Sequence, residues 1–194
     1  MIDRVVPIVE GRGEVPAIRI LLQRLMAEVN IHHVAIAPPD RNSRSSLLKP
    51  QYLEKVVNRS AESAGENGAI LILIDSDRDR PCLLGPSLLT TAKAARPDRR
   101  IMVALAEIEF ETWFIAAAES LRGCSRLPQT LSRPSHFESI RGAKEWLTKQ
   151  IEGSHQYKPT ASQAALTARM DLDLARQHSA SFRRFCTRFR ELLA

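Results

Sequence analysis

Cysteine is scarce: Cys82, Cys124 and Cys186 stand far apart and are odd in number, which excludes a disulfide framework and a cysteine-based zinc cluster. The thiols are expected to be reduced. No apolar run approaches the roughly 20 residues that a membrane-spanning helix needs. The opening "MIDRVVPIVEGRGE" carries acid where a secretory signal has a basic flank and a longer apolar core. A cytoplasmic protein with no membrane contact is the expectation. Lysine is also in short supply, at Lys49, Lys55, Lys93, Lys144, Lys149 and Lys158 only, although Lys and Arg together number 28 against 22 acidic residues. The net charge of +6 is therefore carried mostly by arginine, the side chain suited to bidentate phosphate contacts. A basic excess of this size becomes informative only beside a site that handles phosphate.

What is present is the composition of a folded domain, with 44% hydrophobic and 26% charged residues in 194. The first hundred residues alternate between two periodicities. "RVVPIVE", "IHHVAIA", "AILILID" and "RRIMVALAE" read as four strands; "EVPAIRILLQRLMAEV", "QYLEKVVNRSAESA" and "GPSLLTTAKAA" read as the helices between them. Strict alternation implies a mainly parallel sheet covered on both faces. The segment "PPDRNSRSSLLKP" reads as a polar, proline-bounded loop of the length that often carries function. From "EFETWFIAAAESL" onward only helical patterns occur. The expected organisation is an α/β domain over residues 1–120 with a helical extension, 121–194, packed on it. The last helix places Phe182, Phe185, Phe189 and Leu192 on one face and Arg183, Arg184, Arg188 and Arg190 between them, the pattern of a docked helix with a solvated basic face.

Acidic residues recur where strands end. Glu10 closes the first strand, ahead of "GRGE", whose glycines permit a tight turn and close approach; Glu14 lies one helical turn further on. The apolar run Ala69–Ile74 passes directly into Asp75, with Asp77 and Asp79 at i+2 and i+4, so that extended backbone would aim all three to one side. Glu107, Glu109 and Glu111 follow the fourth strand. In a parallel α/β sheet, ligands bind beyond the carboxyl ends of the strands. Carboxylates crowded there repel each other unless a hard cation neutralises them, and oxygen-only ligands suit Mg²⁺ or Mn²⁺, as one ion or two.

Competing readings of "DSDRD" fail on spacing. An EF-hand loop from Asp75 would need glycine where Arg80 stands and glutamate where Pro86 stands. A haloacid dehalogenase-type phosphatase carries its aspartates on the first strand and has Thr or Val where Asp79 stands. "GRGE" lacks the lysine of a P-loop and the third glycine of a dinucleotide loop.

A glutamate followed by glycine after the first strand, and Asp-x-Asp after a later one, resembles the TOPRIM fold of topoisomerases, bacterial primases, OLD-type nucleases and RNA-maturation nucleases. "IVEGRGE" and "LIDSDRD" carry the resemblance. Within that superfamily the chain resembles the bacterial family described only as domain of unknown function 4276, through "VEGRGEVPAI", "LIDSDRDRPC", "EFETWFIAA", "YKPTASQAAL" and "MDLDLARQHSASFRRF" in that order. The resemblance implies a TOPRIM-like, Rossmann-like sheet. It implies that Glu10, Asp75 and Asp77 are the catalytic carboxylates, and that Glu10, Glu14, Asp75, Asp77, Asp79, Glu109 and Glu111 form the pool of metal ligands. One departure stands out: where a "Lys-Thr-x-Asp-Gln" run is expected, the chain has Lys158 to Gln163 without the acid, so this segment is expected to position rather than react.

A topoisomerase needs a domain presenting a tyrosine and a primase needs template-binding machinery, for which the chain is short. The expected activity is a metal-dependent nuclease acting on DNA or RNA, with an ATPase partner in bacterial defence implied by the resemblance. Arg78, Arg80, Arg41 and Arg44, on loops at strand ends, together with Arg12 and Lys158, are the expected nucleic-acid contacts. Two alternatives stay open: a non-catalytic module that binds nucleic acid or a partner, and a hydrolase or transferase acting on a small phosphorylated metabolite. A homodimer is compatible with either.

Overall fold

A computed structural model describes residues 1–194. Five strands form one parallel sheet: β1 (Arg4–Val9), β2 (Ala35–Ile36), β3 (Asp40–Arg41), β4 (Gly68–Asp75) and β5 (Arg100–Ala106). The order is β2-β1-β4-β5, with β3 pairing β1 beyond β2. Four strands were expected. The second, expected over Ile31–Ala37, is reduced to β2, and β3 is an additional short strand inside the segment expected to be a loop; Pro38 and Pro39, which cannot donate to a ladder, separate the two. β2 pairs the start of β1 (Arg4 with Ala35), and after the prolines β3 pairs its end (Ile8 with Asp40).

Residue alternation along β4 explains why both faces must be covered. Ala69, Leu71 and Leu73 belong to one apolar cluster; Ile70, Ile72 and Ile74 belong to another on the opposite face. The second face is covered by α3 (Pro50–Ala64) and α4 (Pro81–Ala95), through Leu53, Val56, Val57, Leu88 and Ala92. The first face is covered in part by α1 (Glu14–Glu28), whose Ala17, Ile18, Leu21, Leu22 and Leu25 form its buried stripe.

The remainder of that face is closed by the C-terminal helices. These are α5 (Thr112–Ala116), α6 (Ala143–Gln150), α7 (Pro159–Arg169), α8 (Leu172–His178) and α9 (Ala180–Leu193); a single turn, α2 (Arg44–Leu47), lies earlier. Helix α7 packs on α1, α8 on α9, and α9 on β5. Phe182 and Phe185 meet Trp113, and Phe189 stacks on Phe185, inside the same cluster of buried residues as Val5 and Leu71. The arginines between them, Arg183, Arg184, Arg188 and Arg190, are exposed, as the periodicity predicts. No helix is long and apolar enough to cross a membrane.

Candidate metal centre

The strand order reverses between β1 and β4, which is where an open α/β sheet forms a crevice. Glu10 leaves the end of β1, Asp75 ends β4, and Glu14 is the first residue of α1. One carboxylate oxygen from each of the three lies within 4.8 Å of the others. Two metal–oxygen bonds of roughly 2.1–2.4 Å span such a separation, and the donor set contains oxygen alone, so these residues fit Mg²⁺ or Mn²⁺.

Local backbone bonds hold the three in place. The Asp75 N–H donates to Glu10 Oε1 at 2.8 Å, and the Glu10 N–H donates to Glu14 Oε2 at 3.3 Å. Asp75 Oδ1 accepts from the Phe110 N–H at 2.7 Å, tying the site to the loop after β5. The glycines of "GRGE" act through lack of bulk. A Cβ on Gly11 would lie 2.6 Å from Glu14 Oε1, and one on Gly13 would lie 2.2 Å from Gln163 Oε1 and 2.6 Å from the Pro159 carbonyl carbon. Gly13 thus admits the start of α7, where close ligand approach was expected.

Burial and mutual repulsion set the charge state of this group. Burial, then the neighbouring Glu10 charge, raises Glu14 to about 8. Burial, then Glu14 and Glu10, raises Asp75 well above the usual carboxylate range; burial likewise raises Glu10. Such a group holds protons until a cation replaces them.

A second carboxylate pair, Glu109 and Glu111, lies across Asp75 and already has a cation. Lys144 Nζ stands 3.4 Å from Glu111 Oε2, 3.6 Å from Glu109 Oε2 and 3.9 Å from Asp75 Oδ2. The Lys144 N–H, at the first turn of α6, donates to Glu109 Oε2 at 3.3 Å. Glu111 is almost fully buried and accepts a bond from the Tyr157 hydroxyl at 3.0 Å. Burial lowers the Lys144 pKa, but Glu111, Asp75 and Glu109 together reverse this and leave it raised, so the ammonium is permanent. Tyr157 is raised by burial and then by Glu111, so it stays a phenol. Sequence reasoning passed over Lys144. The available signal was the rarity of lysine in a chain otherwise supplied with arginine.

Asp77 and Asp79 are not brought to the triad. Extended backbone after Asp75 was expected, but Asp77 has φ +50°, its N–H donates to Ile108 O at 3.0 Å, and the Asp79 N–H turns back to Ser76 O at 2.9 Å. Both side chains are exposed and face Arg44, whose Nε is 3.2 Å from Asp77 Oδ2 and whose Nη2 pairs with Asp79. Arg44 also donates to the Asp75 and Ser76 carbonyls, at 3.1 and 3.3 Å. Its guanidinium therefore braces the loop. Ile108, a β-branched residue at φ +62°, donates to Ser76 Oγ at 2.8 Å, so the loops after β4 and β5 are locked in a strained pairing beside the carboxylates.

An open pocket of about 370 Å³ lies alongside, lined by Arg44, Asp77, Arg78, Asp79, Glu109 and Arg141 among others. Arg78 and Arg141 are exposed there with no internal ion pair. Arg12, Arg41, Arg80 and Lys158 are also exposed; Arg41 belongs to β3, while Arg80 and Lys158 directly precede α4 and α7.

Fold and site together define a parallel α/β protein with a carboxylate cleft at its switch point. The chain belongs to the family described as Domain of unknown function (DUF4276), whose model matches residues 9–190. No curated protein and no solved structure was found to match it.

Proposed function

We propose that this protein is a phosphodiester hydrolase of the TOPRIM kind, a nuclease working with one divalent cation, Mg²⁺ or Mn²⁺, held by Glu10, Glu14 and Asp75. The observation that carries the reading is the convergence of those three carboxylates from the ends of β1 and β4 and the start of α1. When bound, the cation would supply positive charge to the phosphoryl oxygens in the transition state and acidify water. Every other role falls to side chains of the chain itself.

Lys144 holds a fixed positive charge on the far side of Asp75, where a second cation would otherwise be needed to balance Glu109 and Glu111. It meets charge developing on the phosphate from that side. Tyr157 keeps Glu111 oriented through its hydroxyl. Arg78 and Arg141 flank the pocket and contact neighbouring phosphates of the substrate. The pocket's openness supports a polymeric substrate over a small enclosed metabolite. An ATPase partner in bacterial defence remains part of the proposal through the resemblance to OLD-type nucleases.

The experiment is a cleavage assay on single- and double-stranded DNA and RNA with Mg²⁺ or Mn²⁺, run beside Asp75→Asn. Cleavage that needs the metal and disappears in the variant is expected. Binding of nucleic acid without cleavage under any of these conditions would replace the nuclease reading with that of a non-catalytic module.

A further inference from the structure

Strand β5 ends the sheet. It pairs only with β4, and apart from that ladder nothing in the chain bonds to the backbone of residues 101–105. In a parallel edge strand, alternate residues direct N–H and C=O outward, a template for another strand. Many edges are capped by a helix or a charged bulge; here α4 and α9 stand on either side of the edge and leave a groove between them. Two adjoining openings of about 630 and 270 Å³ share Val103 and Arg188 and run from Arg100 to Leu105.

Five cations line this groove; Arg99 pairs with Asp98, and the other four, Lys93 from α4, Arg100 from β5, and Arg184 and Arg188 from α9, take part in no internal ion pair. Glu191 is the only acid among the lining residues. We propose that the β5 edge is a docking site for an extended acidic segment of a partner protein, which adds to the sheet as a further strand between α4 and α9.

The chemistry selects this occupant. Outward N–H and C=O groups alternate at the rise of a strand, roughly 3.3 Å per residue, and so match another polypeptide backbone; nucleic-acid phosphates accept but do not donate. A second copy would bring the same four cations face to face with their equivalents, which opposes β5-to-β5 pairing. In an added strand, side chains alternate between the two helices. Those facing α9 meet Arg184 and Arg188, so acidic residues are required at every second position.

The test uses the full chain and a fluorescent peptide of four Glu-Val repeats, followed by anisotropy and by amide hydrogen exchange. A Lys-Val peptide and a Glu-Val peptide N-methylated at alternate residues serve as controls. Saturable binding with slowed exchange at residues 101–105 is expected, weakened at least about tenfold for Arg184→Glu/Arg188→Glu and for both control peptides. Arg184 and Arg188 are exposed on α9, so the double variant should fold, and its unchanged circular dichroism would establish this. Absence of binding, equal binding of the N-methylated peptide, or protection of β5 by self-association or by an oligonucleotide in place of the peptide would each overturn the proposal.

Discussion

The backbone N–H of Asp75 donates to Glu10 Oε1 at 2.8 Å, so the residue that ends β4 fixes the carboxylate that ends β1. The Asp75 carboxylate itself lies beside Glu14 and Lys144. Two strand ends at the switch point thereby orient each other before any ligand arrives. The cost is electrostatic: buried carboxylates in a group are opposed by burial and by one another.

That cost predicts a pH dependence. Glu14 has its pKa lifted from 4.5 to about 8 in the folded chain. For an acid raised on folding, the stabilisation is fully present below the unfolded value of 4.5 and is lost as pH rises to about 8, at up to about 1.4 kcal/mol per pH unit for one proton. Without divalent metal the protein should melt lower at pH 8 than at pH 5. Mn²⁺ should restore more stability at pH 8, where the proton it displaces is already leaving. Glu14→Gln should flatten the profile and abolish the Mn²⁺ effect, which scanning fluorimetry across pH reads directly.

Replacing Lys144 with Met keeps most of the side-chain length and removes the ammonium. Glu109, Glu111 and Asp75 would then lack their shared partner. Because the lysine is partly exposed, a loss of about 1–3 kcal/mol is expected, below that for a fully buried pair. High Mn²⁺ should recover part of it by binding a second time, seen as a second transition in a metal titration of the melting temperature. Lys144→Arg should recover stability without the second transition.

Gly13→Ala tests whether the turn before α1 needs its missing side chain. The new Cβ would meet Gln163 Oε1 and the Pro159 backbone, so α7 must shift. A loss of about 1–3 kcal/mol is expected in denaturant melts, with weakened Mn²⁺ binding because Glu14 is displaced.

Much of this was legible before the structure. The apolar run ending in Asp75 read as a strand because both faces of β4 are covered, and the aromatic spacing of α9 declared its buried face. That Glu10, Glu14 and Asp75 come together was legible because strand ends and helix starts are local features. Asp77 and Asp79 were misplaced for the same reason in reverse. Local spacing assumes extended backbone, whereas the turn at φ +50° is set by bonds to Ile108 and by Arg44, both remote in sequence. Lys144 was missed because only tertiary packing of α6 brings it to the carboxylates. β3 was hidden in a segment read as a loop, because only its pairing with the remote end of β1 makes it a strand.

Asp77→Asn separates the triad from the wider ligand pool. Asparagine tolerates a left-handed backbone, and Asp77 is exposed beside Arg44, so stability should change by under about 1 kcal/mol. The Mn²⁺-induced rise in melting temperature should persist. Loss of that rise would place Asp77 among the ligands.

The most direct test of the metal centre is calorimetric titration of Mn²⁺ into the protein near pH 8, where Glu14 is half deprotonated, repeated with Asp75→Asn. The account predicts a single saturable site in the parent chain and its disappearance in the variant. Absence of binding by the parent, or undiminished binding by Asp75→Asn, would contradict it.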